Sequence, residues 1–295
     1  MTATQKSPGR IVFIIVNTII MILVCIVCLL PMWHVLMASV SDPIALQKFK
    51  GLLLTPIGEP THKGYLLVMQ NPNIFTSYIN TIIYVIVGTG LGATLTLVAG
   101  YILSRKTFRY RRVLMSMIVF TMLFRAGMIP QYLVVNALQL TDTRWAVILP
   151  SLLSVFNITI MRNAIEQLPA SLEESARIDG AGDMLILFRI VAPLVKATFA
   201  VIILFYAVAR WNEWFNAMIY LTKRELFPLQ LILREILIIN QNTVTAGADI
   251  SSGLDNYKEL VQYATIIVAT VPILCIYPFV QKHFVTGVMI GAVKG

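Results

Sequence analysis

Three groups of residues in this 295-residue chain have side chains suited to chemistry or docking. The largest is residues 168–193, LPASLEESARIDGAGDMLILFRIVAP, a polar interruption between two long apolar runs. Glu173, Glu174, Arg177, Asp179, Asp183 and Arg189 would be costly in hydrocarbon, so the segment belongs in water. The second is Arg125, Arg210 and Glu213, charges set inside apolar runs, where ionisable groups are functional candidates. The third is Cys25-x-x-Cys28, which has a redox or metal spacing. It lies in an apolar run with no acidic or His neighbour, which favours packing over ligation. His34, His62 and His283 are scattered, so no metal site is expected. No Gly-x-x-x-x-Gly-Lys-Ser/Thr loop occurs, so no cofactor is expected on this chain, and any ATP and Mg would be used by partner chains.

The elements that position these groups follow from composition. The chain is 58% hydrophobic and 13% charged, with a mean hydropathy of +0.79, which implies an integral membrane protein. Its net charge of +9 reflects Lys and Arg gathered in loops on one side of the membrane. Without aromatic–basic interleaving, nucleic acid is not an expected partner. Apolar runs predict six spans at about residues 11–31, 78–103, 113–135, 146–161, 196–221 and 260–280, forming a single all-α transmembrane domain over 1–295. The first run is too long for a signal-peptide core and reads as a retained span. Gly88, Gly90, Gly92 and Gly100 in the second offer close helix approach. Arg105, Lys106, Arg109, Arg111 and Arg112 mark the next loop as cytoplasmic, which places both termini and residues 168–193 inside.

Within 168–193, Ser171 with Glu174 three residues on spells a capping box behind Pro169. Asp179-Gly180 is a turn signal, a second helical run covers 181–189, and Pro193 suits the first turn of the next helix. Two short helices with a glycine break would form a knob on the membrane surface. An ordinary loop resting on headgroups is the other reading. Arg125 and Arg210 fall at similar depth in two spans that both start inside, and Glu213 at i+3 could neutralise Arg210 on one helix face. With Trp211, Asn212 and Trp214 they are candidate lining for a solute path, or else an ion pair fixing helix packing beside an aromatic belt. Pro130, Pro272 and Pro278 would bend their helices. Residues 229–239 would lie flat at the outer interface or pack as a re-entrant segment.

Three motifs carry a resemblance. Glu174-Ser175-Ala176, Gly180 and Ile190-x-Ala192-Pro193 resemble the E-A-A-x3-G-x9-I-x-L-P loop of bacterial ABC importer permeases, with Ser175 and Ala192 as departures. Trp211-Asn212-Glu213 resembles the W-N-E of sugar-type permeases, and the end of the chain, Phe284-Val285-x-Gly287 and Gly291-Ala292-Val293-Lys294-Gly295, is similar to that branch's terminus. The whole chain resembles the second permease of maltose-type carbohydrate importers, with complex-oligosaccharide permeases as the nearest match. That resemblance implies an ABC type I importer permease fold in the bacterial plasma (inner) membrane. It also implies a similar second permease, two ATPase subunits, an extracellular or periplasmic solute-binding protein and an oligosaccharide substrate. Glu174, Ser175, Ala176, Asp179, Gly180, Ile190 and Pro193 would then dock an ATPase, and the 291–295 tail would reach into the ATPase dimer. A permease for a non-sugar solute, an ion-driven secondary carrier and a membrane scaffold are the rival expectations.

Overall fold

The structure, a computed structural model, describes residues 8–124, 126–245 and 257–292, with side chains described for 9–124, 126–238 and 257–275. Helices make up the regular structure, and no strand occurs among the described residues. Three helices, over Gly9–Ser39, Pro72–Ser104 and Lys258–Cys275, are long and apolar enough to cross a membrane, and the count rises to six if each of three bent pairs is one span. The chain forms two compact units, one of residues 1–71 and 236–270, the other of 72–235 and 271–295.

In the first unit, the apolar window of the Pro8–Ser39 helix buries nothing within the chain, as suits a lipid-facing span. Beyond it, Asp42 caps the Pro43–Lys48 helix by accepting from the Ile44 and Ala45 amides. The Leu53 amide donates to His34 Nδ1 at 3.0 Å, which spends one of the scattered histidines on loop structure. Ala38, Leu46, Leu53 and Leu260 form a small buried cluster.

The second unit is built on Pro72–Ser104, Val155–Glu166 and Lys196–Trp211. Lipid is as apolar as leucine, so helices associate through close packing rather than hydrophobic expulsion. The glycines supply the closeness. A Cβ on Gly92 would stand 2.8 Å from the Leu152 carbonyl, one on Gly100 2.6 Å from Met161 Cγ, and one on Gly88 2.8 Å from Arg210 Nε. Gly90 faces open space, so three of the four expected contacts are made. Gly92→Val should cost about 2 kcal/mol or more, because a backbone carbonyl cannot yield, whereas Gly90→Val should stay within about 0.5 kcal/mol. Equal melting temperatures in detergent would contradict this.

Several spans differ from their predicted form. The third is not one helix: Arg111–Leu123 stops at extended Phe124, and Met128–Ala137 starts after Gly127 at φ 81. Pro130 therefore lies in a first turn instead of kinking a span. The fourth is a pair, Arg144–Ser151 and Val155–Glu166, bent by 52°, with Pro150 at the break. The fifth ends at Trp211, and a short helix, Phe215–Tyr220, follows. The sixth helix runs Lys258–Ala292 through Pro272 and Pro278. Residues 229–239 belong to a helix, Leu229–Thr245. Its first turn is buried, with the Leu229 amide donating to Thr81 Oγ1 at 2.8 Å, which is packing rather than lying flat.

The N-terminal part of Pro72–Ser104 is knitted to the loops beside it. Asn80 donates to the Glu225 and Phe227 carbonyls and accepts from Arg144, while Tyr84 donates to the Leu226 carbonyl. Asp142 accepts from the Thr222 amide and hydroxyl and the Lys223 amide. These hydrogen bonds hold its carboxyl below the usual carboxylate range.

Candidate functional site

Two places stand out, the polar knob and the break in the fourth span. In the knob, Ser171–Ile178 and Asp183–Leu194 are helices. The first starts at Ser171 behind Ala170, which makes no side-chain cap. The expected Ser171/Glu174 capping box is thus absent, because Ser171 is already the first helical residue and not the cap. Its acidic first turn, Glu173 and Glu174, still suits the positive end of the helix. The helix stops in a Schellman motif: Ala181 donates to the Ala176 carbonyl at 2.9 Å and Gly180 to the Arg177 carbonyl at 3.0 Å. Gly180 sits at φ 81, a backbone conformation open to glycine and costly with a Cβ.

The second knob helix is longer than the expected 181–189. It contains a π-helical turn over Ile186–Val191 just before Pro193, which cannot donate an amide hydrogen bond and crowds a regular α-turn. Pro193 lies in the first turn of the α-helical segment that follows, Ala192–Leu194, which closes this helix ahead of the fifth span. That span starts at Lys196 after a turn of 89°.

The base of the knob is buried. Ala176, Ile186, Leu187, Val191 and Val195 share one core with Leu97, Tyr101, Met161 and Ile165, and Ile190 packs against it. An ion pair between Arg105 and Glu173 ties the end of Pro72–Ser104 to the first knob helix, and the Arg105 guanidinium lies 3.8 Å over the Tyr101 ring. Sequence reasoning missed this pair, having weighed Glu174 instead. Glu174, Ser175 and Asp179 are exposed, as is the apolar tip, where Ile178 is 85% and Met184 66% exposed.

At the break, Arg210 is only 3% exposed. It donates from Nη1 to the Val147 carbonyl and Ser151 Oγ, and from Nη2 to the Ile148 and Ser151 carbonyls, at 2.6–3.2 Å. These carbonyls lie in the last turns of a helix that ends at the break, where helix carbonyls run short of backbone partners. Four residues earlier on the same helix face, the Tyr206 hydroxyl accepts from the Ser154 amide at 3.0 Å and bonds Thr96 Oγ1 at 2.7 Å. One helix thus clamps both lips of the broken span. The expected Arg210–Glu213 pair does not form: the helix ends at Trp211, and no ion pair joins the two among the described residues. Glu213 instead accepts from the Asn216 amide and side chain, starting the next helix. Trp211 is buried and edge-on to Tyr78, the Asn212 amide returns to the Val208 carbonyl, and Trp214 lies 3.7 Å beneath the Arg234 guanidinium. Arg125 falls outside the described residues. Gly291 and Ala292 end the last helix, and Val293, Lys294 and Gly295 lie outside the described residues.

A cavity of about 340 Å³ opens at the break, lined by Ser154, Phe156, Asn157, Phe205, Arg210 and Glu213 among others. The sequence reading included only the last two of these. The missed signal was Pro150, a helix breaker inside the fourth apolar run, followed by Ser151 and Ser154 at the two lips of the break.

Broken apolar helices with a braced polar knob are the features of a multi-pass membrane protein of the permease class. The chain belongs to the family of binding-protein-dependent transport system inner membrane components, whose model matches residues 92–290. That makes it a permease subunit of an ABC importer, working with ATPase and substrate-binding partners in the inner membrane. Among its relatives, the polygalacturonan/rhamnogalacturonan transport system permease protein YtcP of Bacillus subtilis is 38% identical over 93% of this chain and 96% of its own length. Protein LplC of the same organism is 37% identical over 100% of this chain and 98% of its own. The fold superposes with a TM-score of 0.82, at 32% identity over 96% of this chain and 100% of the other, on a bacterial ABC transporter involved in import of the acidic polysaccharide alginate.

Proposed function

We propose that this chain is one half of the permease pair of an importer for oligosaccharides of acidic polysaccharides. A similar second permease would complete the path, and two ATPases would bind ATP and Mg and dock on residues 168–193 from the cytoplasm. The observation that carries the coupling role is the knob itself: a buried base continuous with the span core, and an exposed apolar tip around Gly180. A connecting loop lying on headgroups would not need such a base. The basic cluster from Arg105 to Arg112 supports a cytoplasmic side for the knob and both termini, and by the family resemblance the 291–295 tail reaches the ATPase dimer. Glu174 and Asp179 are the charged docking contacts, Ser175 lies beside them, and Ala176, Gly180, Ile190 and Pro193 shape the knob. For the solute path, the clamp supports a structural role for Arg210, while Arg125, Asn212 and the two tryptophans stay candidate lining.

The substrate reading rests on relatives named for polygalacturonan and alginate, which are polymers of uronic acids. Proteoliposomes holding the assembled complex and its binding protein should accumulate oligogalacturonides only with ATP on the ATPase side. Uptake without ATPase subunits would identify a secondary carrier. ATP hydrolysis without solute movement would identify a scaffold, and stimulation by a non-sugar solute alone would remove the sugar.

A further inference from the structure

We infer that the cavity at the break of the fourth span is a subsite for one pyranose ring of the travelling oligosaccharide. The inference rests on the sugar-importer reading above and adds where, on this chain, the sugar is held. At about 340 Å³ the cavity reaches the lower end of the ~300–1,000 Å³ usual for small-molecule sites. Non-helical backbone at membrane depth is tolerated where it lines such a cavity, and broken helices mark solute sites in transporters.

Three observations point to a sugar. Asn157 is only 4% exposed, yet its side-chain amide makes no hydrogen bond among the described residues, and it opens onto the cavity. Its amide reaches solvent through that cavity rather than being sealed off, and a ligand hydroxyl there would meet both its donor and its acceptor. Phe156 and Phe205 line the same space, with ring centroids 6.3 Å apart and planes tilted by 38°. They offer an apolar wall to the C–H face of a pyranose. Glu213 also faces the cavity, and its carboxylate retains acceptor capacity beyond its bonds to Asn216. Arg210 contributes charge but no free fork, since both terminal nitrogens are engaged with residues 147–151. The site therefore takes the hydroxyl-bearing face of a uronate ring, with the ring's own carboxylate directed out of the cavity, away from Glu213.

The test uses the assembled complex with Cys25, Cys28 and Cys275 replaced by serine and Ala209→Cys added. Ala209 lines the cavity and is itself exposed, so the thiol reports occupancy without repacking the core. Trigalacturonate, delivered by the binding protein, should slow maleimide labelling by about tenfold in at least one state of the ATP cycle, as a pocket that encloses its ligand would. In the otherwise unaltered chain, Asn157→Leu should raise KM for the oligosaccharide by about tenfold, the worth of one lost polar contact, with a smaller change in kcat. Sugar-independent labelling, or a thiol already shielded without sugar by the neighbouring permease, would overturn the subsite. If the unaltered complex imports oligosaccharide while labelling ignores it, the subsite alone fails. If the unaltered complex imports none, the function reading fails first.

Discussion

Arg210→Met should destabilise the protein by about 3–5 kcal/mol, since several carbonyl acceptors lose a charged donor at about 1–3 kcal/mol each. Methionine keeps an unbranched apolar stem but stops two bonds short of the Nη atoms, so what is lost is the charged fork itself. Four hydrogen bonds disappear, and the carbonyls of Val147, Ile148 and Ser151 lose their charged donor. The cation also sits where the negative end of that helix points, a placement that a neutral side chain forfeits. Arg210→Lys should recover only part, because one ammonium cannot span acceptors on both sides of the fork. A double-mutant cycle isolates the clamp. Gly88→Ala places a Cβ 2.8 Å from Arg210 Nε, so its cost should shrink in the Arg210→Met background, where a flexible thioether yields. Thermal unfolding in lipid nanodiscs reads all four proteins. If Arg210→Met melts with the parent, the break is held by packing alone and the clamp is incidental.

The same clamp marks the limit of what was legible in the sequence. Buried charge in an apolar run flagged Arg210 correctly, but its partners lie about sixty residues away, and spacing along one helix suggested Glu213 instead. Helix ends decided the outcome: with the helix closing at Trp211, Glu213 leaves the Arg210 face and starts the next turn. The broken spans were partly readable, since Pro150 and Gly127 are breakers in the fourth and third runs, yet an apolar average over some twenty residues hides a four-residue gap. The knob was the most legible part. Charge too costly for lipid set its limits, and Asp179-Gly180 gave its turn. Which of two adjacent glutamates faced inward was not written locally, because the answer depends on Arg105 arriving from another helix.

That division of labour between Glu173 and Glu174 sharpens the second large effect expected. Glu174→Lys should lower both sugar-stimulated ATP hydrolysis and uptake by about ten- to a hundredfold, the scale for reversing a charge in a docking interface, with folding unchanged. Glu174 makes no ion pair among the described residues and lies in water, so its replacement should move stability by no more than about 0.5 kcal/mol. Ile178→Asp, at the exposed tip, should have a similar effect by placing a charge where an apolar anchor would be buried. Glu173→Lys differs in kind: it puts a like charge against Arg105 and loosens the knob from Pro72–Ser104, so melting temperature falls along with activity. The three variants thus separate contact from bracing. Should Glu174→Lys and Ile178→Asp assemble, hydrolyse and transport at the parental rate, residues 168–193 would be a passive loop. Force would then have to enter the permease elsewhere, with the 291–295 tail as the next place to look.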